Sequence, residues 1–180
     1  MKKLLASIIA TVLLCLGFIS STYAWFIATD FSIQNTFTSG NIEIMLAEST
    51  SKNKKMIPGA TLIEDPEITV MADSEDCWLF VKIDKSATFD TFLSYEIAQG
   101  WTPVEGKSGV YYRTVSSDKN NQLFGILKND EVHAKPEPTK EQYDALNSNN
   151  YPVLTFTAYA VQMFGFANAE LAWAEAEQLG

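Results

Sequence analysis

The chain contains a single histidine, His133, which is the first residue to consider for chemistry. It lies in a polar stretch between Glu131 and Lys135. Zinc proteases hold their metal with paired histidines on one helix face, and a lone histidine cannot supply that pair. A role as general base would need a serine or cysteine partner, and no motif marks one. We therefore predict that His133 is an exposed residue at the end of a strand.

Two groups of acidic residues are candidates for glycosidase chemistry. Glu64, Asp65 and Glu67 surround one predicted turn, and residues 73–76 form a second acidic turn. Glycoside cleavage needs two carboxyl groups about 5 to 10 Å apart, and one of them must be desolvated. Neither group has the apolar setting that would raise a carboxyl pKa, so we predict that both are solvated turns.

The second acidic group is also a candidate calcium site. Calcium takes oxygen ligands from successive loop residues, as Asp73, Glu75 and Asp76 would provide. The stretch lacks the glycine and the terminal acidic residue of an EF-hand loop. We favour an acidic hairpin loop and predict no cofactor, with calcium at these three residues as the alternative.

Aromatic residues suggest one further kind of site. Trp78, Trp101, Tyr111 and Tyr112 could provide a surface on which sugar rings stack, but aromatic residues on strands more often pack in a core or in cross-strand pairs. We expect the core role. The sequence also lacks a phosphate-binding glycine loop and a nucleophile elbow. Because no catalytic constellation is found, we predict that the protein is not an enzyme.

The N-terminal segment has the three parts of a secretory signal peptide. A basic start, Lys2 and Lys3, precedes an apolar stretch over residues 4–19, and small residues lead up to a cleavage site between Ala24 and Trp25. The apolar stretch is short for a transmembrane helix, which needs about 20 residues. We predict a signal peptide over residues 1–24, removed on export, and a single mature domain over residues 25–180.

Charge and cysteine content limit the kinds of partner that the mature domain can bind. The formal net charge is −9, and losing the two signal lysines makes the domain more acidic still. Such a surface repels nucleic acid and anionic lipid, so we predict no nucleic-acid partner. No second apolar run follows the signal, which predicts no membrane span after cleavage. Cys77 then has no intrachain partner, and we expect a small buried hydrophobe rather than a disulfide between chains.

The elements that must position these residues are mostly strands. Apolar and polar residues alternate with period two, which predicts an all-β antiparallel sandwich. Ile42, Ile44 and Leu46 form one inward row, and residues 77–83 are apolar on both faces, as in a covered central strand. Further strands are predicted over residues 93–98, 109–115, 123–128 and 153–163.

Two short helices interrupt the strand pattern. Residues 139–147 begin with a capping box, in which Thr139 is the N-cap and Gln142 reaches back to it. Residues 169–179 are rich in alanine, glutamate and leucine, with Asn168 as the expected cap. We therefore predict two helices in the mature domain, each joined to a strand by a short connection.

The predicted cleavage junction and the first strand resemble a known family. Ala24-Trp25-Phe26, followed by the segment over residues 35–44, is similar to the TasA/camelysin (CalY) family of secreted Firmicutes proteins. Further similar segments are residues 56–61, 65–70, 73–82, 154–162 and 172–174. The resemblance implies export through a dedicated SipW-type signal peptidase. It also implies a jelly-roll sandwich placed outside the cell, at the cell surface or in the biofilm matrix of a Gram-positive bacterium.

Relatives in that family build fibres in which the mature N-terminal segment of one subunit completes a sheet of its neighbour. Backbone hydrogen bonds supply the affinity in such strand addition. Here the resemblance implies a donor segment over residues 25–37, with Phe26, Phe31, Ile33 and Phe37 filling a groove. The same segment also fits an ordinary first strand of its own sandwich, and both roles remain open.

The expected function is that of a secreted structural protein, a subunit or accessory of such fibres, whose partner is a further copy of itself. One alternative is a secreted metalloendopeptidase of the camelysin type, which the lone His133 does not support. A second alternative is a carbohydrate-binding or adhesin module that uses Trp101, Tyr111 and Tyr112.

Overall fold

The computed structural model describes residues 31–39, 41–49 and 56–179. The predicted signal peptide, its cleavage site at Ala24 and Trp25, and Phe26 lie outside these residues. The described residues form eleven strands and three short helices. The strands are β1 (Phe31–Ser39), β2 (Ile44–Ala47), β3 (Thr61–Ile63), β4 (Glu67–Val70), β5 (Cys77–Lys85), β6 (Leu93–Ile97), β7 (Thr102–Pro103), β8 (Val110–Val115), β9 (Gln122–Gly125), β10 (Leu127–Ala134) and β11 (Leu154–Gln162). The helices are α1 (Phe89–Phe92), α2 (Lys140–Asp144) and α3 (Ala169–Leu179).

The strands form one sheet of five and two sheets of three. The five-stranded sheet has the order β1-β11-β5-β8-β7, and the smaller sheets have the orders β3-β10-β6 and β2-β4-β9. Every described pair of strands is antiparallel except β1 with β11. The predicted all-β antiparallel sandwich is confirmed.

Buried residues from all three sheets meet in one core. Leu79 and Val81 of β5 are wholly buried in a core that also contains Ile68 of β4, Leu62 of β3 and Val132 of β10. These residues come from all three sheets, so this inner core is what joins them. Burying their apolar surface is the main driving force for holding the sheets together.

The opposite face of β5 is covered by helix α3. Phe80 is wholly buried in a second cluster with Tyr159 of β11 and Trp173 of α3. The ring centroid of Trp173 lies 5.4 Å from that of Phe80 and 5.2 Å from that of Tyr159. The prediction that this strand is central and covered on both faces is therefore confirmed.

The helices differ from the prediction in number and length. Helix α2 has the predicted capping box at Thr139 and Gln142 but spans only Lys140–Asp144. Helix α3 has the predicted bounds, and the Asn168 side chain accepts a hydrogen bond from the Leu171 amide at 3.0 Å. Two helices were predicted, but α1 is a third, and its four residues are too few to show a helical period.

The predicted strand over residues 123–128 is two strands. Ile126 lies between β9 and β10, and its amide donates a hydrogen bond to the Pro66 carbonyl at 3.0 Å. Asn129 and Asp130 have φ values of 56° and 57°, and the pairing of β10 with β6 shifts register at this point. These two polar residues have left-handed backbone conformations and interrupt the alternation of apolar and polar residues. The continuation of β10 to Ala134 was therefore not recognised from the sequence. Within the described residues, no helix is long and apolar enough to cross a membrane.

The turn between β7 and β8 provides a matched test of backbone packing. Gly109 and Gly106 have φ values of 74° and 72°, but a Cβ on Gly109 would lie 2.5 Å from the Ile83 carbonyl oxygen, whereas one on Gly106 would meet nothing within 4 Å. We expect Gly106→Ala to cost about 1–2 kcal/mol of unfolding free energy, from backbone strain alone. Gly109→Ala should cost clearly more, because the Ile83 backbone must also move. Urea unfolding of both variants checks this, and equal costs would contradict it.

Candidate strand-exchange site

Strand β1 lies at one edge of the five-stranded sheet and pairs with β11. The pairing is parallel and joins seven residue pairs, from Phe31 with Leu154 to Ser39 with Val161. The sequence left two roles open for this segment, and within the single chain it occupies its own sheet. Residues 31–37 of the candidate donor segment thus belong to an edge strand whose backbone bonds to one neighbour, and residues 25–30 lie outside the described residues.

Elements other than β11 also contact β1. Strand β2 and helix α3 both lie against it. On β11 itself, Ala158 and Ala160 belong to the inner core, whereas Tyr159 and Val161 belong to the cluster under α3. We call the space bounded by β11, β2 and α3 the β1 slot. The slot therefore has a hydrogen-bonding edge from β11 and walls from β2 and α3.

The β1 slot accepts an extended strand. With β1 in place, seven of the nine residues of β11 are buried, and β1 is the strand partner of β11 on that side. Backbone hydrogen bonds supply the affinity in strand addition. Any chain that supplies a strand in the register of β1 makes the same backbone bonds, whether it comes from the same molecule or another.

The predicted groove-filling residues can be placed only in part. Phe31 and Ile33 stand in register with Leu154 and Phe156, which are both buried in the inner core. Phe37 lies where the register shifts between Asn35 and Thr38, so it has no paired position on β11. Phe26 lies outside the described residues. The register thus aligns two of the four predicted positions with the core.

The opposite edge of the five-stranded sheet is closed to strand addition. Strand β7 has only two residues, Thr102 and Pro103, and proline has no backbone N–H to donate. Short edge strands and edge prolines are common protections against unwanted strand pairing. The two edges therefore differ, because only the β1 edge offers a long strand position.

Two of the three predicted calcium residues contact other groups. Asp73 forms an ion pair with Lys119 at 2.9 Å, and Asp76 accepts a hydrogen bond from the Ser117 amide at 2.7 Å. Glu75 is exposed. In the part of the chain that the structure describes, no three His, Cys, Asp or Glu side chains are grouped to hold a metal ion.

One acidic residue contradicts the sequence analysis. Glu64 was predicted to be solvated, but it is wholly buried. It follows directly after β3, and its amide donates to the Asp130 carbonyl of β10 at 2.7 Å. Leu62 of β3 is buried as well, so Glu64, two residues later, continues the inward face of that strand.

His133 lies near the end of β10, and its side chain is about half exposed, as predicted. Its Nδ1 is 3.2 Å from the Thr61 hydroxyl, and its Nε2 is 3.6 Å from a Glu131 carboxylate oxygen. A surface cleft of about 560 Å³ adjoins it, between Thr91 and Glu137. The histidine thus contacts one hydroxyl and one carboxylate at the surface.

The four aromatic residues do not form one surface. Trp101 and Tyr111 pack with the inner core, whereas Tyr112 lies on the other face with Trp78, at a ring-centroid distance of 5.7 Å. The Trp101 indole N–H donates to the Gly125 carbonyl at 2.8 Å. The predicted core and cross-strand roles are confirmed.

Arg113 is a residue that the sequence analysis missed. Its guanidinium carbon lies 4.1 Å from the centroid of the Phe124 ring and 5.5 Å from that of Trp101. Burial lowers the pKa of this guanidinium. A Cβ on Gly100 would lie 3.2 Å from its Nη2, so glycine there makes room for the cation. The available signal was that Arg113 shares the inward row of β8 with Tyr111 and Val115.

Comparison of the sequence with protein-family models and with curated proteins gives no match. The resemblance to the TasA/camelysin family therefore stays a prediction from the sequence. The candidate site is defined by the geometry of β1, β11, β2 and α3.

Cys77 tests how closed the inner core is. The side chain is wholly buried, and burial together with the Asp76 charge raises the pKa of its thiol to about 12. Because the thiolate is the reactive form, we expect no reaction with a thiol reagent at pH 8 in the folded protein. Full reaction should follow in denaturant, which is the control. Rapid labelling without denaturant would contradict this and would reopen the disulfide between chains.

Trp173 tests the α3 wall of the β1 slot. Trp173→Ala should lower the unfolding free energy by about 3–5 kcal/mol, because it leaves a cavity against Phe80. Trp173→Phe should lose less than half of that, because the indole N–H has no hydrogen-bond partner among the described residues. Leu171→Ala is the matched control on the exposed side of the same helix and should change stability by less than about 0.5 kcal/mol. Equal urea midpoints for Trp173→Ala and Leu171→Ala would contradict this packing.

Proposed function

We propose that the protein is a secreted structural protein, a subunit or accessory of fibres in the biofilm matrix or on the surface of a Gram-positive bacterium. In such fibres the first strand of one copy fills the β1 slot of the next. The observation that carries this proposal is the place of β1, an edge strand whose parallel partner among the described strands is β11. The three-part signal-peptide pattern of residues 1–24 and the TasA/camelysin resemblance support an extracellular location.

Exchange of β1 costs little at equilibrium because the same contacts form within and between copies. A strand from a second copy meets the same β11 edge and the same walls from β2 and α3. Swapping an identical element is therefore a low-cost route to assembly. What changes is the path of the connection between β1 and β2, residues 40–43, and the effective concentration of the strand.

Head-to-tail exchange is the form that produces a fibre. If two copies swap strands reciprocally, the result is a closed dimer, whereas one-way donation along a row of copies leaves a free strand and a free slot at the ends. Within the five-stranded sheet, the protected β7 edge leaves the β1 slot as the position for strand addition. In this sheet each copy then has one donor strand and one acceptor slot, which is the requirement for linear growth.

The alternative functions have less support. A sugar-binding surface at Trp101, Tyr111 and Tyr112 would need the three rings on one face, and Tyr112 lies on the opposite face from the other two. A metalloendopeptidase would need further ligands beside His133, whose described side-chain neighbours are Thr61 and Glu131.

A reversible lock on β1 tests the proposal. Ser32 and Thr155 are paired, and strands lie about 4.8 Å apart, within the Cα separation that a disulfide accepts. Ser32→Cys combined with Thr155→Cys in the mature chain should tie β1 to its own slot. We expect the oxidised protein to stay monomeric by light scattering and electron microscopy, and the reduced protein to assemble as the wild type does.

The single variant Ser32→Cys is the control for the added thiol and should assemble under both conditions. Two results would count against the proposal. One is assembly of the oxidised double variant at the wild-type rate. The other is a mature wild-type chain, residues 25–180, that stays monomeric at every concentration tested.

A further inference from the structure

Phe164 is the most exposed large apolar residue among the described side chains, at 87% of its full exposure. It lies in the turn that joins β11 to α3. Single exposed apolar residues are common, but an aromatic ring held almost entirely in water marks a contact surface more often than an aliphatic side chain does. The place of this ring relative to the β1 slot indicates what covers it.

The turn holds Phe164 in a defined position. The Met163 amide donates to the Asp76 carbonyl at 2.8 Å, and the Phe166 amide donates to the Met163 carbonyl at 3.3 Å. Phe166 itself packs on the cluster under α3. Gly165 has a φ of 99°, a conformation that favours glycine. Phe164 is therefore presented at the tip of an anchored turn.

The direction of β1 fixes the end of the slot from which a donating copy must emerge. Because β1 and β11 are parallel, Ser39 lies beside Val161, near the end of β11. A swapped strand keeps the register of the strand that it replaces. The rest of the donating copy therefore leaves the slot at the end of β11 where the Phe164 turn begins.

We infer that Phe164 docks against the body of the donating copy in the fibre, so that the turn over residues 163–166 is a second contact beside the exchanged strand. The inference rests on the proposed function, because the occupant is a second copy of this chain. The first described segment after β1 in that copy is residues 41–49. Its exposed large apolar side chain is Met45, at 47% exposure.

Met45 follows closely on the strand that fills the slot. It is the sixth residue after Ser39, so a fully extended chain places the two Cα atoms at most about 20 Å apart. The protein is acidic, so two copies repel each other at long range, and an apolar contact gains stability without adding like charges. We therefore assign the contact to Phe164 of one copy and the segment over residues 41–49 of the donating copy.

Substitution of Phe164 tests the contact separately from strand exchange. In the mature chain, Phe164→Ser should leave the melting temperature unchanged, because the ring is exposed in the monomer. The lowest concentration at which fibres form should rise about tenfold, from the loss of one buried aromatic per contact. Phe164→Leu should fall between this variant and the wild type. Ile57→Ser, at another exposed apolar residue before β3, is the matched control and should assemble as the wild type does.

A photo-crosslinking phenylalanine analogue at position 164 tests the partner directly. In fibres we expect crosslinks to residues 41–49 of a second copy, identified by mass spectrometry of mixed isotope-labelled and unlabelled chains. Crosslinks between copies that map elsewhere, or only within one copy, would overturn the assignment.

The failures of the two proposals are distinguishable. If the wild type assembles, the disulfide lock stops it, and Phe164→Ser assembles at the wild-type concentration, then strand exchange stands and the Phe164 contact is wrong. If the wild type does not assemble, or if the lock has no effect, both proposals are overturned.

Discussion

Strands β5 and β11 pair along nine consecutive residues, and the rest of the structure is arranged around this pair. One face of the pair belongs to the inner core shared by the three sheets, and the other lies under helix α3. Because both faces of the pair are buried in apolar clusters, the backbone groups of β5 and β11 depend on neighbouring strands for hydrogen bonds. Strand β8 meets this need for β5, and β1 meets it for β11.

The two outer neighbours of this pair are held very differently. Strand β8 is antiparallel to β5, continues the sheet to β7, and is tied to β9 by Arg113 between the rings of Phe124 and Trp101. Strand β1 has a parallel partner on one side and, among the strands that the structure describes, no further strand beyond it. Parallel pairs are slightly less stable per residue than antiparallel ones. The β1 edge is therefore held less strongly than the β8 side, although its partner β11 is buried along most of its length.

Local sequence patterns predicted the elements that follow a clear period or a defined cap. The double row of apolar residues along β5, the alternation of β2 and the capping box at Thr139 each depend on neighbours in sequence, so they could be found without a structure. The burial of Cys77 followed from the same alternation.

Features that depend on distant contacts could not be predicted in this way. The backbone bond from Glu64 to β10 joins distant segments, and β10 was hidden by the left-handed residues Asn129 and Asp130. The cation between two rings joins residues from β8, from β9 and from the segment just before β7. The parallel pairing of β1 with β11 is also a distant contact. The candidate site was thus predicted as a segment, but its partner strand and its walls came only from the structure.

The pairing of the first described strand with the last one affects the order in which the chain folds. Residues of β1 and β11 are about 120 positions apart, and closing so long a loop is entropically costly and slow. A chain that leaves a membrane or a ribosome N-terminus first must hold β1 unpaired until β11 has followed. During that interval the leading strand is available to any already folded neighbour with an open slot. The kinetics of chain emergence, and not equilibrium affinity alone, would then decide between closing on itself and joining a neighbour.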